Sequence, residues 1–535
     1  MIRLQPNLIE RAIAAISPRA AMARLRDRAT FEAFSGNGSD GGPRSPMNAR
    51  WATTPRSADA DQLRALPRQR AESRELRRTN PIGEAAITTN INRVVGTGLV
   101  PIPEPDQAVL GWTDDQAAEW KQAVLREFSL WADSPTACDW YGQQAFFQWQ
   151  AGVLGSRLES GDCFTLLPDA PQATWDQPYR LRLQLLESDR CGNPNAAQDT
   201  DTVVAGIRRA ESSGAPVAAH IYDRHPGSAV TSLRGGGRYA GTWYAFIGPS
   251  GRRRILHHLR ATRPEQTRGV PYLAPVIQAI KDLGRYTEAE ISAAVISAFY
   301  TVFIKQEKGS GPAPVFGATT EQPAAGGAPG PEIAMGAGAV IGLLPGEEPV
   351  FADPKRPNTA YEPFVLGLLT LIAAGLHMPR SLLIKRFDAS YSASRAELLD
   401  AWQHFRTERA WLVISACQPV FETWMAEAVS LGRIQAPGFF ESALHRWAYT
   451  RAAWHGDSQG SLNPRDEVAA YTAAVDARLM TLERAEWELW GTDWHRSFTA
   501  KVREQQMLRD NGIAAVPRAG AAAPVQQQQQ QQATA

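Results

Sequence analysis

Few residues of this chain stand in arrangements that perform catalysis. The four cysteines, Cys138, Cys163, Cys191 and Cys417, are widely spaced, with no C-x-x-C pair and no H-x-x-x-H partner. That spacing suits reduced thiols rather than a zinc cage or a disulfide framework. His257 and His258 follow Arg252, Arg253 and Arg254, a combination that invites a metal or phosphate reading. Neighbours along a strand point to opposite faces, however, so one imidazole should face inward and the other outward. Glu187, Asp189 and the histidines downstream lack the spacing of an acid and base set. The sequence contains no G-x-x-x-x-G-K-[ST] run to cradle phosphates, no G-x-S-x-G elbow, no H-E-x-x-H helix and no dinucleotide fingerprint after a strand. A motor ATPase is thereby excluded as the simple reading, and no enzymatic activity, metal or cofactor is expected. The enzymatic alternative is a cysteine hydrolase using Cys163 or Cys417 with an unassigned histidine.

A binding chemistry is easier to find. Arg380, Lys385 and Arg386, with Asp388 as the only acid, are followed by Ser390, Tyr391 and Ser392. This basic, hydroxyl-rich loop lies between two helical patterns. Phe364, Leu368, Leu369 and Ile372 recur at helical spacing up to Gly375, and Leu398, Leu399, Trp402, Phe405 and Leu412 resume it. Gly375 is placed as a helix stop, Pro379 bars simple continuation, and Ser394 with Glu397 forms a capping box that restarts the helix. The net charge is only +1. Any contact with a polyanion must therefore be local.

The remaining elements frame that loop. Residues 1–62 are Arg-rich and then rich in Gly, Pro and Ser, an arm without the means to build a core. Arg74, Arg77 and Arg78 share a helical face, a solvated or inter-subunit surface. Thr113 and Gln116 cap a helix whose Trp120, Val124, Phe128 and Trp131 form a core-facing stripe, and a further helix spans about Gln143 to Glu159. Alternation in Tyr179 to Glu187, with four short runs between Val203 and Leu259, predicts a small antiparallel β-region. A long helix is expected from about Tyr272 to Gln306. The Gly-, Ala- and Pro-rich insertion Gly309 to Gly338 follows, then an exposed acidic turn at Glu347 and Glu348. Asn463 should cap a helix beginning at Pro464, Trp487, Trp490 and Trp494 should form a packing stripe, and the tail holding seven consecutive Gln is low-complexity. The longest apolar stretch, Ile291 to Ile304, is shorter than the ~20 residues that span a bilayer, so no membrane segment is expected.

The run LLTLIAAGLHMP, a loop and then YSASRAELLDAW resembles the signature of the lambda-family phage portal proteins. NRVVGTGLVP (Asn92 to Pro101), LQLLESDRCGNP (Leu183 to Pro194), HPG (His225 to Gly227) and RPEQTRGVPYLAPV (Arg263 to Val276) fall in the same family order. His377 departs from the pattern, standing where the family places a small or polar residue. The resemblance implies an α+β portal fold: an arm (1–62), a wing (63–269), a first stem helix (270–306), a clip (307–358), a second stem helix (359–376), a tunnel loop (377–393), a long wing helix (394–432), outer body and crown helices (433–515) and a tail (516–535). It also implies a dodecameric ring at one capsid vertex of a virion, assembled in the host cytoplasm. Double-stranded DNA would pass the tunnel-loop residues Arg380, Lys385, Arg386, Ser390, Tyr391 and Ser392. The large terminase subunit and a head-tail connector would dock at a clip containing Glu347, Glu348 and Lys308, and major capsid and scaffold proteins would surround the ring. Another ring-forming head-tail connector protein is the alternative within the same class.

Overall fold

The computed structural model describes residues 55–170, 177–228, 238–299, 303–306, 347–350, 360–387, 390–458, 464–491 and 494–511. Met1–Asp61 and Gln62–Ala535 are separate units, and the second holds the sheets and the long helices. Helices α1 (Leu66–Thr79) and α2 (Pro81–Val94) meet at Asn80, whose extended backbone breaks the helix. Its side-chain oxygen then accepts the N–H of Ile82 at 2.9 Å, with Pro81 at the first helical position, so one residue pair stops and restarts the chain. The arginine face of α1 is not free. Arg74 pairs with Asp189, and Arg77 with Glu159 at 2.9 Å, so these two guanidinium groups serve packing within the subunit.

After β1 (Val100–Pro103), α3 (Asp114–Ala132) starts at the expected capping box, and its Trp120, Val124, Phe128 and Trp131 are all buried. Helix α4 (Phe146–Ser160) brings Phe146 and Trp149 to the same core. Three strands, β2 (Asp162–Leu166), β3 (Gln184–Glu187) and later β8 (Ile255–Leu259), form one antiparallel sheet in the order β3-β2-β8. The second sheet is β4 (Val203–Val204), β5 (Ile207–Arg209), β6 (Pro216–Tyr222) and β7 (Gly241–Ala245), in sequence order. A smaller core of Phe164, Leu186, Ile207, Ala219, Ile221 and Ile255 joins the two sheets. The expected β-region is present, but its central strand β2 escaped the period-two reading because all of its residues are buried.

Helix α5 spans Ile277–Phe299, shorter at both ends than expected, and Phe303–Gln306 forms a strand, β9, rather than its last turns. Aromatic and β-branched residues at Phe303 and Ile304 favour extended backbone. Its partner is β10 (Glu347–Val350), in the register Glu347↔Gln306 and Glu348↔Lys305, so these glutamates begin a strand instead of a turn. Lys308 and Gly309 to Gly338 lie outside the described residues.

Helix α6 (Tyr361–Gly375) packs on α5 through Tyr286 and Tyr361, stacked 5.7 Å apart. The expected irregular loop after it contains a helix, α7 (Arg380–Ile384), and α8 (Tyr391–Leu412) starts earlier than Ser394. Ser390 is its cap, accepting the N–H of Ala393 at 3.4 Å, whereas Glu397 is turned towards α7, where it accepts the Ser381 hydroxyl. A π-helical turn at Val413–Cys417 joins α8 to α9 (Gln418–Ser430), whose Phe421 and Trp424 close the aromatic core on Phe128. Helix α10 (Ala443–Thr450) and β11 (Ala452–His455) follow, and β11 pairs with β1. The last described elements are α11 (Pro464–Asp476), α12 (Leu482–Trp490) and α13 (Trp494–Asp510). Asn463 lies outside the described residues. Trp487 packs on His455 and Trp494 on Phe498, but Trp490 is 60% exposed, so the stripe is not a continuous packing surface.

Candidate functional site

The basic segment is presented by a short helix with one buried side. Leu382 and Leu383 of α7 are buried, and this seats the helix and leaves Arg380, Lys385 and Arg386 exposed. Lys385 adopts a left-handed backbone (φ 55°) that ends α7. Two of the three cations are tied back to α6. Arg380 donates to the Thr370 hydroxyl at 3.1 Å, and Arg386 pairs with Glu362 at 3.0 Å with both side chains more than half exposed. An exposed pair of this kind contributes about 0–1 kcal/mol, enough to bias a side chain without immobilising it. Ser390 and Ser392 are exposed at the start of α8, their hydroxyls 3.3 Å apart. Tyr391 is the first residue of α8, and Asp388 lies outside the described residues. A cleft of about 580 Å³ opens between α6, α7 and α8, with Arg380 and Arg386 on one side and Glu397 and Asp400 on the other.

His377 occupies the turn between α6 and α7 with φ 50°, the left-handed position that ends a helix and favours glycine. Its ring lies 6.0 Å from that of His404 on α8. His377→Gly should therefore raise stability by up to about 1 kcal/mol through relief of backbone strain, measured as a higher denaturant midpoint. A decrease would mean that the ring contact outweighs the strain.

No motif marks a densely bonded buried cluster among the described residues. Asp162, at the start of β2, has a fully buried carboxylate. It receives Arg268 (2.7 Å), Arg70 (2.9 Å), His257 (3.2 Å), the backbone N–H of Gly269 (3.0 Å) and the Ser188 hydroxyl. Burial alone would raise this carboxyl, but Arg268, Arg70 and His257 hold it well below the usual carboxylate range. Arg268 also donates to the carbonyls of Ser188, Cys191 and Ala205, linking both sheets to the segment that leads into α5. Gly269 is required there, since a Cβ on it would sit 2.0 Å from the Gly161 carbonyl oxygen. A second buried acid, Glu408 of α8, takes both Arg157 and Arg260 and joins the long helix to α4 and to the segment after β8.

His257 and His258 do point to opposite faces of β8, but both are enclosed. His257 stacks on Phe164 at 4.3 Å, and His258 bonds to Thr165 (2.8 Å) and to the Ser415 carbonyl (3.1 Å). Burial, with His257 adjacent, pushes His258 down to about 3, and burial with His377 and Arg260 nearby pushes His404 down to about 4. Unfolded, both imidazoles take up protons near 6.5, so the unfolded chain binds more protons between that pH and these depressed values. Stability is thus present above pH 6.5 and lost as the pH falls below it, with His258 alone contributing up to about 1.4 kcal/mol per pH unit. Denaturant midpoints measured from pH 7 to 5 should fall, and His258→Gln should flatten the slope.

Glu187, Asp189 and His225, which no motif spacing connects, are brought together with ligand atoms within 4.8 Å of one another. They do not fit a metal ion. The Gly227 N–H donates to Nδ1 of His225 at 2.9 Å, so the neutral ring carries its proton on Nε2, which donates to Glu187 (3.2 Å) and Asp189 (3.5 Å). A metal-binding imidazole needs the opposite tautomer, and Asp189 is already held by Arg74. The cysteines are equally unsuited to nucleophilic work. All four are buried, and burial raises their thiols, that of Cys191 to about 11, whereas a nucleophilic cysteine needs the thiolate.

These features describe a subunit whose elements are held together by buried ion clusters. The model of the lambda family of phage portal proteins matches residues 44–409. The chain is 25% identical over 526 residues to portal protein B of Escherichia phage lambda, covering 94% of each, and 25% identical over 486 residues to the portal protein of Escherichia phage N15, covering 86% of this chain and 88% of that one. Among solved structures it is similar to the neck of a native GTA particle computed with C12 symmetry (15% identity, TM-score 0.40, 78% of this chain and 92% of that one). It is also similar to the virion of a native gene transfer agent particle (14% identity, TM-score 0.39, the same coverage). The chain belongs to the lambda family of phage portal proteins. It is a structural subunit of a capsid portal ring, and its place is the virion. No described helix is long and apolar enough to cross a membrane.

Proposed function

We propose that twelve copies close into a ring through which double-stranded DNA is packaged and later ejected, with the exposed cations of α7 and of the two residues after it forming a collar around the passage. The observation that supports this most directly is the seating of α7. Two buried leucines hold it while Arg380, Lys385 and Arg386 remain exposed, and ring symmetry repeats that trio around one axis although the single chain carries a net charge of only +1. Ser390, Tyr391 and Ser392 moderate the collar, as do the tethers to Thr370 and Glu362. A conduit needs contacts weak enough to slide. A protein holding some 6–10 phosphates loses about 10³–10⁵ in affinity between 50 and 200 mM salt, a strength suited to gripping.

In this reading α5 and α6 are the stem. The strands β9 and β10, with Glu347, Glu348 and Lys308, belong to the clip that meets the large terminase subunit and later a head-tail connector. The sheets with α1–α4, α8 and α9 form the wing, and α11–α13 form the crown. Major capsid and scaffold proteins surround the ring as it assembles in the host cytoplasm. Electron microscopy of the purified chain tests the reading: an annulus with twelvefold symmetry and a central channel is expected. Monomers under assembly conditions, or annuli carrying α7 on the outer rim, would overturn it.

A further inference from the structure

We propose that the cleft between α6, α7 and α8 is the seat for Phe387 of an adjacent copy of this chain, an inference that rests on the ring reading. The cleft has an apolar floor of Leu366, Ala374, Met378 and Ile384, with Arg380 and Arg386 on one side and an acidic wall of Glu397 and Asp400 on the other. Asp400 is exposed and has no hydrogen-bond or ion-pair partner among the described residues. The segment that follows α7 offers the complement. Phe387 is 55% exposed and directly follows Lys385 and Arg386, and Lys385 is likewise exposed and unpaired among the described residues.

Arg386 lines its own cleft whereas Phe387 does not, so the ring of Phe387 is presented away from the pocket beside it. A donor segment and an acceptor cleft that are different surfaces of one subunit make a head-to-tail contact. Such a contact propagates from copy to copy and ends only when the ring closes. Seating the aromatic ring removes apolar surface from water, and Lys385 of the donor then faces the acidic wall of the acceptor. Each basic segment would be held by the next subunit, which sets the spacing of the collar.

The test is a cross-link. In full-length protein, Phe387→Cys is mixed with Thr370→Cys, a substitution within the cleft. The native cysteines are all buried, so the background is low. After assembly and mild oxidation, disulfide-linked dimers are expected only in the mixture, and a ladder of higher species is expected from the double variant. Annuli visible by electron microscopy that yield monomer bands alone would overturn the inference. If the cysteine variants fail to assemble, assembly of Phe387→Asp decides it, since the half-assembly concentration should rise at least about tenfold while Phe387→Leu assembles normally. Unchanged assembly of Phe387→Asp sinks the proposal. The two readings fail separately: cross-links with unaltered DNA packaging after removal of the three cations would remove the collar alone, and annuli without cross-links would remove the docking alone.

Discussion

Asp162→Ala should lower the stability of the subunit by about 3–5 kcal/mol, because removing one partner of a buried ion cluster leaves the others charged and unpaired. The arginines concerned, Arg70 and Arg268, are themselves only 5% and 3% exposed, so water cannot replace the lost carboxylate. Asp162→Asn keeps the volume and some of the accepted hydrogen bonds but not the charge, and should fall between the two. The damage should concentrate where Arg268 and Gly269 lead into α5, read as early loss of amide protection there during hydrogen exchange. Because the carboxyl lies well below its usual range in the folded chain, its contribution is present above the unfolded value of about 3.9 and fades as the pH falls through the folded one. A change below about 1 kcal/mol for Asp162→Ala would mean that solvent reaches the cluster.

Joint replacement of Arg380, Lys385 and Arg386 by alanine should leave the ring able to form and impair DNA packaging or retention. The two outcomes separate for a structural reason. Among these three cations, Arg386 makes the described ion pair with Glu362, and that pair is exposed, so its loss costs about 0–1 kcal/mol. The contact proposed above between Lys385 and the acidic wall of the next subunit is likewise between exposed groups and its loss costs about 0–1 kcal/mol, so what chiefly disappears is attraction to phosphates, and the slope of log affinity against log salt should fall by about 0.9 for every phosphate contact removed. Normal packaging by the triple variant, with an unaltered salt slope, would eliminate the collar.

Helices with one apolar stripe and a recognisable cap were legible in the sequence. The helix begun by Thr113 and Gln116, with Trp120 to Trp131 inward, needed nothing beyond spacing; α6 does end at Gly375, but the left-handed residue that stops it is His377, not the glycine. Segments buried on every side were not, since β2 has no polar alternation to read. The basic segment does lie between two helices, but α7 inside it was concealed because Ser394 and Glu397 imitate a cap while Glu397 is used by Ser381. Asp162 was invisible for a different reason. Its partners Arg70, Ser188, His257 and Arg268 come from four separate stretches of the chain, and only folding brings them to one carboxylate. The acid opening a strand that is otherwise uncharged was the one trace available.

The widened turn at Val413–Cys417 comes just before Pro419, a residue that has no N–H to offer the carbonyl four positions earlier. That carbonyl belongs to Ser415, and the imidazole of His258 takes it from the neighbouring sheet. The irregularity in this rod is therefore completed by a strand, and the pitch of the rod and the position of β8 are adjusted together. Strain arriving at either would be felt by the other through this hydrogen bond and through Trp411, whose indole N–H donates to the Leu259 carbonyl at 3.2 Å.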